Sequence, residues 1–579
     1  MVIHPVVANY ISLQDRCTDR MEKLCIFMML FGILQAHVFE SNIEKDIEMF
    51  IKETMRCHHV PGLTLAVVSG NQSWIKGFGL ADMDTMRPVN EHTLFSIGSV
   101  TKGFTATLLA VLTSETNNEI TWNSKVSEII GETDLFGDTV RTTMTTVRDL
   151  LSHRTGLSGL FYGLVSGYPS NFTKAEMTRR MQFIPEVKPF RDDFYYNNIM
   201  YTLAGHLAEI IGNDTWENLT RTKLLQPLNM MNTTFLEEPS QVTADNIAKP
   251  YVLKNGQLIN STKSLYRIYP SEPSGAILSS AEDMAKWIRT LLQGGINHLG
   301  IQVVEEKLLK ETFGTYNRLS GPLEELFSLR KPTFPVDEIF VGYGYGWIIG
   351  FYRGYKIIWH GGGVFAYVSL LWIYPDMNIG IYASVNGPGV TQYSIDTLRT
   401  IFFYISDILL GEEPWLNATT ACTFPGKWKN ATVHPVSNDD LDHPFDVILD
   451  RYVGNYSSLV FPHVQITRDE NLLRFQCNRI LGILHPTNKA SKFKLEVTEP
   501  WEIVLSNRNA NNETTMFPVD FDVNETSVTG FNWTTDAPIP FLRDWHFNDR
   551  IPVTNSNSIL RYSHCIILLC FILFKTIII

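Results

Sequence analysis

Leu94-Phe95-Ser96-Ile97-Gly98-Ser99-Val100-Thr101-Lys102-Gly103-Phe104 sets the hydroxyl of Ser99 three residues ahead of the amine of Lys102. The run that follows, Thr105-Ala106-Thr107-Leu108-Leu109-Ala110-Val111-Leu112, is apolar and helix-compatible. A helix starting near Ser99 puts residues i and i+3 on one face, so that Oγ and Nζ can meet. Ser99 then sits at the positive end of the helix, where spare backbone N–H groups can stabilise an oxyanion. A lysine buried there is disfavoured in its charged form and can take the serine proton. The same spacing recurs at Ser491-Lys492-Phe493-Lys494, inside an alternating stretch that reads as an exposed strand. In isolation such a pair is an N-capping serine beside a solvated lysine. Companions elsewhere decide between the two readings.

Two later stretches supply candidates. Phe194-Tyr195-Tyr196-Asn197-Asn198-Ile199-Met200-Tyr201 is a polar cluster leading into a helix. Its Tyr-x-Asn unit brings a phenol that can pass a proton to a leaving group and an amide that can hold the substrate and the lysine. Trp359-His360-Gly361-Gly362-Gly363-Val364 lies between two strand segments. Its glycines admit close backbone approach, and a strand N–H there can complete an oxyanion hole opposite Ser99.

The 579 residues require two or three domains, and 44% hydrophobic with 19% charged residues is a globular composition. A net charge of −12, with no basic run, argues against a nucleic-acid partner. Residues 24–34 form an apolar core behind Arg16, Arg20 and Lys23, with Ala36 as the last residue of a secretory leader, 1–36. Acceptor triplets for N-glycosylation begin at Asn71, Asn171, Asn213, Asn218, Asn232, Asn260, Asn417, Asn430, Asn455, Asn512, Asn524 and Asn532, and their density supports export. Of seven cysteines, Cys57, Cys422 and Cys477 lie in the body. They allow one disulfide and one free thiol, with the pairing open, and offer no metal site. His58-His59 lacks a third ligand and reads as surface.

Helical spacing covers 41–57, and residues 63–68 and 73–78 read as a hairpin. From about 115 to 340 the signals are helical and loop, with one helix opening at Ser280 before Asp283. Strands follow at Tyr343–Ile349, Tyr355–Trp359, Ala366–Tyr374 and Asn378–Val385, then a helix over 391–410. The expected class is α+β: an antiparallel sheet flanked by helices, an inserted helical lobe, and a small all-β C-terminal domain. The divisions are a domain over 37–411, a linker over 412–446, a β domain over 447–548 and an apolar tail over 549–579. For the tail two readings stand, a lipid-anchor signal giving membrane attachment or an inert extension.

Taken together, Ser-x-x-Lys, Tyr-x-Asn and a His-x-Gly form of the Lys-Thr-Gly element resemble the serine β-lactamase and penicillin-binding-protein superfamily, in its class C-like and esterase-like branch. Leu150-Leu151-Ser152-His153-Arg154-Thr155-Gly156-Leu157 and Pro273-Ser274-Gly275-Ala276 are similar to other phrases of that family. The resemblance covers roughly residues 42–411 and implies a β-lactamase/transpeptidase-like fold without cofactor or metal. It implies Ser99 as the acylated nucleophile, Lys102 as its base and Tyr196 as proton relay, with Asn198 binding substrate. His360 takes the place of the family's second lysine, binding a substrate carboxylate or supporting Tyr196. The triglycine Gly361-Gly362-Gly363 lines the substrate site, and the N–H groups of Ser99 and Gly363 form the oxyanion hole. A neutral imidazole attracts a carboxylate less than an ammonium does, which favours small-molecule or peptide-like esters and amides. The β domain resembles the lipocalin-like domains appended to some members and carries no evident catalytic residue. The chain is also similar to the gigasin-like secreted members found in mollusc-shell matrix. The rival to a hydrolase is therefore an extracellular matrix protein reusing the fold.

Overall fold

The computed structural model describes residues 41–117, 119–237, 246–261, 266–319, 328–389, 391–429, 448–498, 516–524, 527–534 and 536–547. The leader over 1–36, the tail over 549–579, Asn430 and Asn512 lie outside the described residues. Among the described residues, no helix is long and apolar enough to cross a membrane.

Gly62–Ser69 is buried at every position, unlike a strand with one wet face. The reason is that both faces of its sheet are covered. Leu63, Leu65 and Val67 point toward helices Ser41–Cys57 and Gln392–Leu410. Ala66 and Val68 point the other way, toward Trp287 and Ile288 of helix Ala281–Leu292. From edge to edge the sheet runs Arg87–Pro88, Gln72–Asp82, Gly62–Ser69, Ile379–Val385, Tyr367–Tyr374, Tyr355–Val364, Ile348–Tyr352, Glu338–Tyr343 and Asn317–Arg318, with antiparallel neighbours. Helices between the two groups of strands form the inserted lobe, so the α+β class holds.

Three local readings change. The strand expected over Tyr343–Ile349 is two strands, because the chain turns between Gly344 and Trp347, where Gly346 adopts φ +80°. The His360 motif lies within strand Tyr355–Val364 rather than between strands. His58 is buried, not on the surface: its Nδ1 lies 2.8 Å from Thr397 Oγ1 on the long C-terminal helix.

Strands from Gly454 to Arg543 close into an eight-stranded antiparallel barrel in simple chain order. Alternate residues point inward, and Phe475, Phe493, Phe531, Trp533 and Phe541 fill the interior, as expected for eight strands. The expected linker departs from expectation in its first half. Trp415, Phe424 and Trp428 pack with Phe334 and Phe403, and Cys422 bonds Cys57, so residues 412–429 belong to the first domain. Cys477 is the buried free thiol.

The acceptor asparagines Asn71, Asn171, Asn213, Asn218, Asn260, Asn417, Asn455 and Asn524 are exposed, while Asn232 and Asn532 are half-buried.

Candidate active site

Ser99 lies in a 3₁₀ turn, Gly98–Val100, that runs directly into helix Thr101–Glu115. That helix is buried on nearly all sides, which accounts for its uniformly small and apolar residues. The turn is pressed against the triglycine strand. A Cβ on Gly98 would lie 2.5 Å from Gly363 N, and Gly98 itself needs φ +50°. These two backbones therefore touch because both lack side chains at the crossing.

Lys102 is fully buried, with Nζ 3.0 Å from Ser99 Oγ, 2.7 Å from Asn198 Oδ1 and 2.9 Å from the Ser274 carbonyl. Burial holds its amine well below the usual lysine range. Asn198 opens helix Asn198–Gly212, whose N-cap is Asn197; the Asn197 side chain accepts from the N–H groups of Ile199 and Met200. The cap fixes where the helix begins and so where the Asn198 amide points.

Tyr196 lies just before that cap. Its ring covers Lys102 Nζ at 4.8 Å from the centroid. Burial pushes the phenol above its usual range, against a smaller lowering by the nearby Ser99 hydroxyl. Ser99, Lys102, Tyr196 and Asn198, drawn from two distant stretches, thus meet at one point.

His360 is close but differently engaged. Its Nδ1 lies 2.6 Å from the Gly361 carbonyl, which can only accept, so Nδ1 carries the proton and Nε2 accepts from Tyr343 O–H at 2.9 Å. Burial, and then the neighbouring Lys102, pull the imidazole down to about 3. Both nitrogens are occupied and the ring is neutral, so His360 offers no cation to a substrate carboxylate. Its ring centroid is 6.2 Å from that of Tyr196, and Tyr343 is the group it braces.

Four participants have no assigned part in the sequence reading. The Ser274 carbonyl fixes Lys102, and the neighbouring Pro273 carbonyl accepts from Thr105 Oγ1 at 2.7 Å. Tyr343 backs His360. His153 accepts at Nδ1 from Asn197 N–H, while its buried Nε2 has no hydrogen-bond partner among the described residues. Its ring sits among Phe194, Tyr196, Tyr201 and Tyr343 at 4.5–5.6 Å. Asp536, from the barrel, accepts from Ser158 Oγ, Gly159 N and Tyr195 O–H. Two of these, His153 and Ser274, stand in the phrases quoted above; Tyr343 and Asp536 carry no local signal.

The beta-lactamase family model matches residues 47–403, more than half of the chain. The chain belongs to the beta-lactamase family. It is 27% identical over 364 residues to Unguisins hydrolase ungD of Aspergillus violaceofuscus, a match covering 61% of this chain and 62% of that protein. The chain therefore spans less than two thirds of that relative's length. It is 28% identical over 276 residues to gigasin-6 of Magallana gigas, covering 46% of this chain and 87% of that one. Among solved structures, the octameric penicillin-binding protein homologue from Pyrococcus abyssi aligns with a TM-score of 0.51 at 20% identity, over 86% of this chain and 99% of that one. D-amino acid amidase from Ochrobactrum anthropi SV3 aligns with a TM-score of 0.51 at 18% identity, over 64% and 98%. At such identities these two structures speak to the fold.

Proposed function

We propose that this chain is a secreted serine hydrolase that cleaves an ester or amide through an acyl-enzyme on Ser99. The observation that carries this reading is the environment of Lys102 Nζ. A neutral amine has two N–H bonds and one lone pair. The Asn198 Oδ1 and Ser274 carbonyl oxygens take the two N–H bonds, which turns the lone pair toward Ser99 Oγ at 3.0 Å. Lys102 accepts the Ser99 proton as Oγ bonds to the substrate carbonyl carbon, whose oxygen becomes an oxyanion facing the N–H groups of Ser99 and Gly363. Collapse of that intermediate breaks the bond to the leaving group, which departs with a proton passed from Lys102 through Tyr196. Burial keeps the Tyr196 phenol protonated, which suits a donor and not a base. Water, deprotonated by the same amine, then attacks the ester on Ser99 and releases the acid.

The exposed acceptor asparagines and the Cys57–Cys422 cystine support a secreted, glycosylated product. The test is labelling of the purified protein with a fluorophosphonate and with a fluorescent penicillin, beside Ser99→Ala. A Ser99-dependent adduct is expected with the fluorophosphonate. No Ser99-dependent adduct with either probe would overturn the hydrolase. It would favour the second reading, a matrix protein, which the similarity to gigasin-6 over 87% of that chain supports.

A further inference from the structure

Helix Val147–Leu151 is capped by Ser152, and the next residue, His153, takes φ +58°. Left-handed backbone just past a helix end is the usual place for glycine. Here the position holds a histidine with no exposed surface. Asn317 fixes the turn: its Nδ2 donates to the Ser152 and His153 carbonyls at 3.0 and 3.1 Å.

The turn aims two acceptors of one residue at one short segment. The His153 carbonyl accepts from Tyr195 N–H at 3.3 Å, and His153 Nδ1 accepts from Asn197 N–H at 3.1 Å. Tyr196 lies between these two anchors. The imidazole also packs on the Tyr196 ring, with centroids 4.5 Å apart. A main-chain N–H can only donate, so Nδ1 carries no proton and Nε2 holds it. Burial, and then Lys102 and His360, pull the imidazole well below its usual range, which keeps that acceptor free of a proton. The buried Nε2 has no hydrogen-bond partner among the described residues, so the ring's polar contact is the one to Asn197.

We propose that His153 is a positioning residue for the leaving-group proton: by holding Tyr195 and Asn197, it sets the Tyr196 phenol between Lys102 and the departing atom. The proposal rests on Ser99 being the nucleophile and Tyr196 the relay. When the tetrahedral intermediate collapses, the bond from carbon to the leaving oxygen breaks and its electron pair stays on that oxygen. The oxygen takes the phenol proton, and Lys102 returns one to Tyr196. An alkoxide is too basic to leave without this proton, whereas a nitrophenolate leaves unaided. A misplaced Tyr196 therefore slows alkyl esters far more than aryl ones. A general loss of structure slows both alike.

The test compares kcat/KM for the ethyl and para-nitrophenyl esters of butanoic acid, using the full chain. Their ratio does not depend on how much of a preparation is folded. Tyr196→Phe sets the scale and is expected to lower the ethyl-to-aryl ratio by about 100-fold or more. His153→Gln, whose amide falls at the place of Nε2, is expected to lower it by about tenfold or more. His153→Asn carries Oδ1 at the place of Nδ1 and tolerates left-handed backbone, so its ratio is expected to lie within about threefold of native. A native ratio in His153→Gln, or equal losses in the Gln and Asn variants, would overturn the proposal while leaving the hydrolase intact. A second measurement needs no turnover: imidazole-nitrogen NMR of isotope-labelled Ser99→Ala at neutral pH, with the His153 signal assigned by its absence from Ser99→Ala/His153→Asn. An unprotonated Nδ1 is expected. A proton on Nδ1 would overturn the proposal whatever the chain hydrolyses. An unprotonated Nδ1 in a native chain that hydrolyses neither ester would sink the hydrolase and the relay with it.

Discussion

Tyr195 donates its phenolic proton to Asp536 Oδ2 at 2.5 Å, across 341 positions of chain and from the beta-lactamase-family domain to the barrel. Asp536 also accepts from Ser158 and Gly159, so one carboxylate ties down the loop next to Tyr196 at two points. If Tyr196 relays the proton as proposed, its displacement lowers the rate without changing the binding of substrate. Tyr195→Phe is expected to reduce kcat about three- to tenfold with KM nearly unchanged. Asp536→Ala should cost more, since it releases Ser158 and Gly159 too. A double variant that merely multiplies the two single losses would show that the residues do not act through one another.

Lys102→Arg and Lys102→Met both remove the neutral amine, the first because guanidinium does not deprotonate. Either should lower fluorophosphonate labelling of Ser99 by about a thousandfold or more. Labelling of Lys102→Arg at the native rate would show that the lysine is not the base.

The acid side of the pH profile belongs to Lys102. Protonation abolishes its lone pair, so kcat/KM is expected to fall as pH drops through the depressed lysine pKa and to be flat above it. His360 is pulled down to about 3, so it stays neutral across the working range and contributes no inflection near its ordinary value. Steady-state profiles of the native chain and of His360→Asn should therefore share one acid midpoint. A midpoint that moves in His360→Asn would contradict this.

Gly362→Ala and Gly361→Ala are expected to part company. The first drives a methyl into the Ile97 carbonyl and should destabilise by about 1–3 kcal/mol, with loss of activity toward every ester. The second meets nothing closer than 3.7 Å and should fold with native stability. Urea midpoints for the pair, measured side by side, check both.

The Cys57–Cys422 bond closes a loop of sequence separation 365 and ties helix Ser41–Cys57 to the segment after helix Gln392–Leu410. Cys57→Ser with Cys422→Ser should lower stability by about 2–4 kcal/mol. Calorimetry with and without reductant should show the native chain losing a similar amount and the variant unaffected.

The serine, lysine and tyrosine were legible because each sits in a short motif whose chemistry depends on spacing. The sheet was legible because its strands are bounded by turn residues, and the split at Gly344–Trp347 was hidden by an apolar run that continues through the turn. The contribution of Ser274 was not readable, since it acts through a main-chain carbonyl that any residue could supply. Tyr343 and Asp536 act across the tertiary structure, and no local pattern marks them. His58 read as surface because the His58-His59 pair lacks a third ligand, and the helix that buries it lies more than three hundred positions away.

Because Asp536 stands near the end of the barrel, the loop beside Tyr196 acquires its tether only once 341 further positions of chain have been made. A product cut short before that residue would carry an intact serine and lysine and yet emerge as a poor catalyst. The barrel thus bears on the serine-bearing domain beside Tyr196 through the carboxylate of one residue.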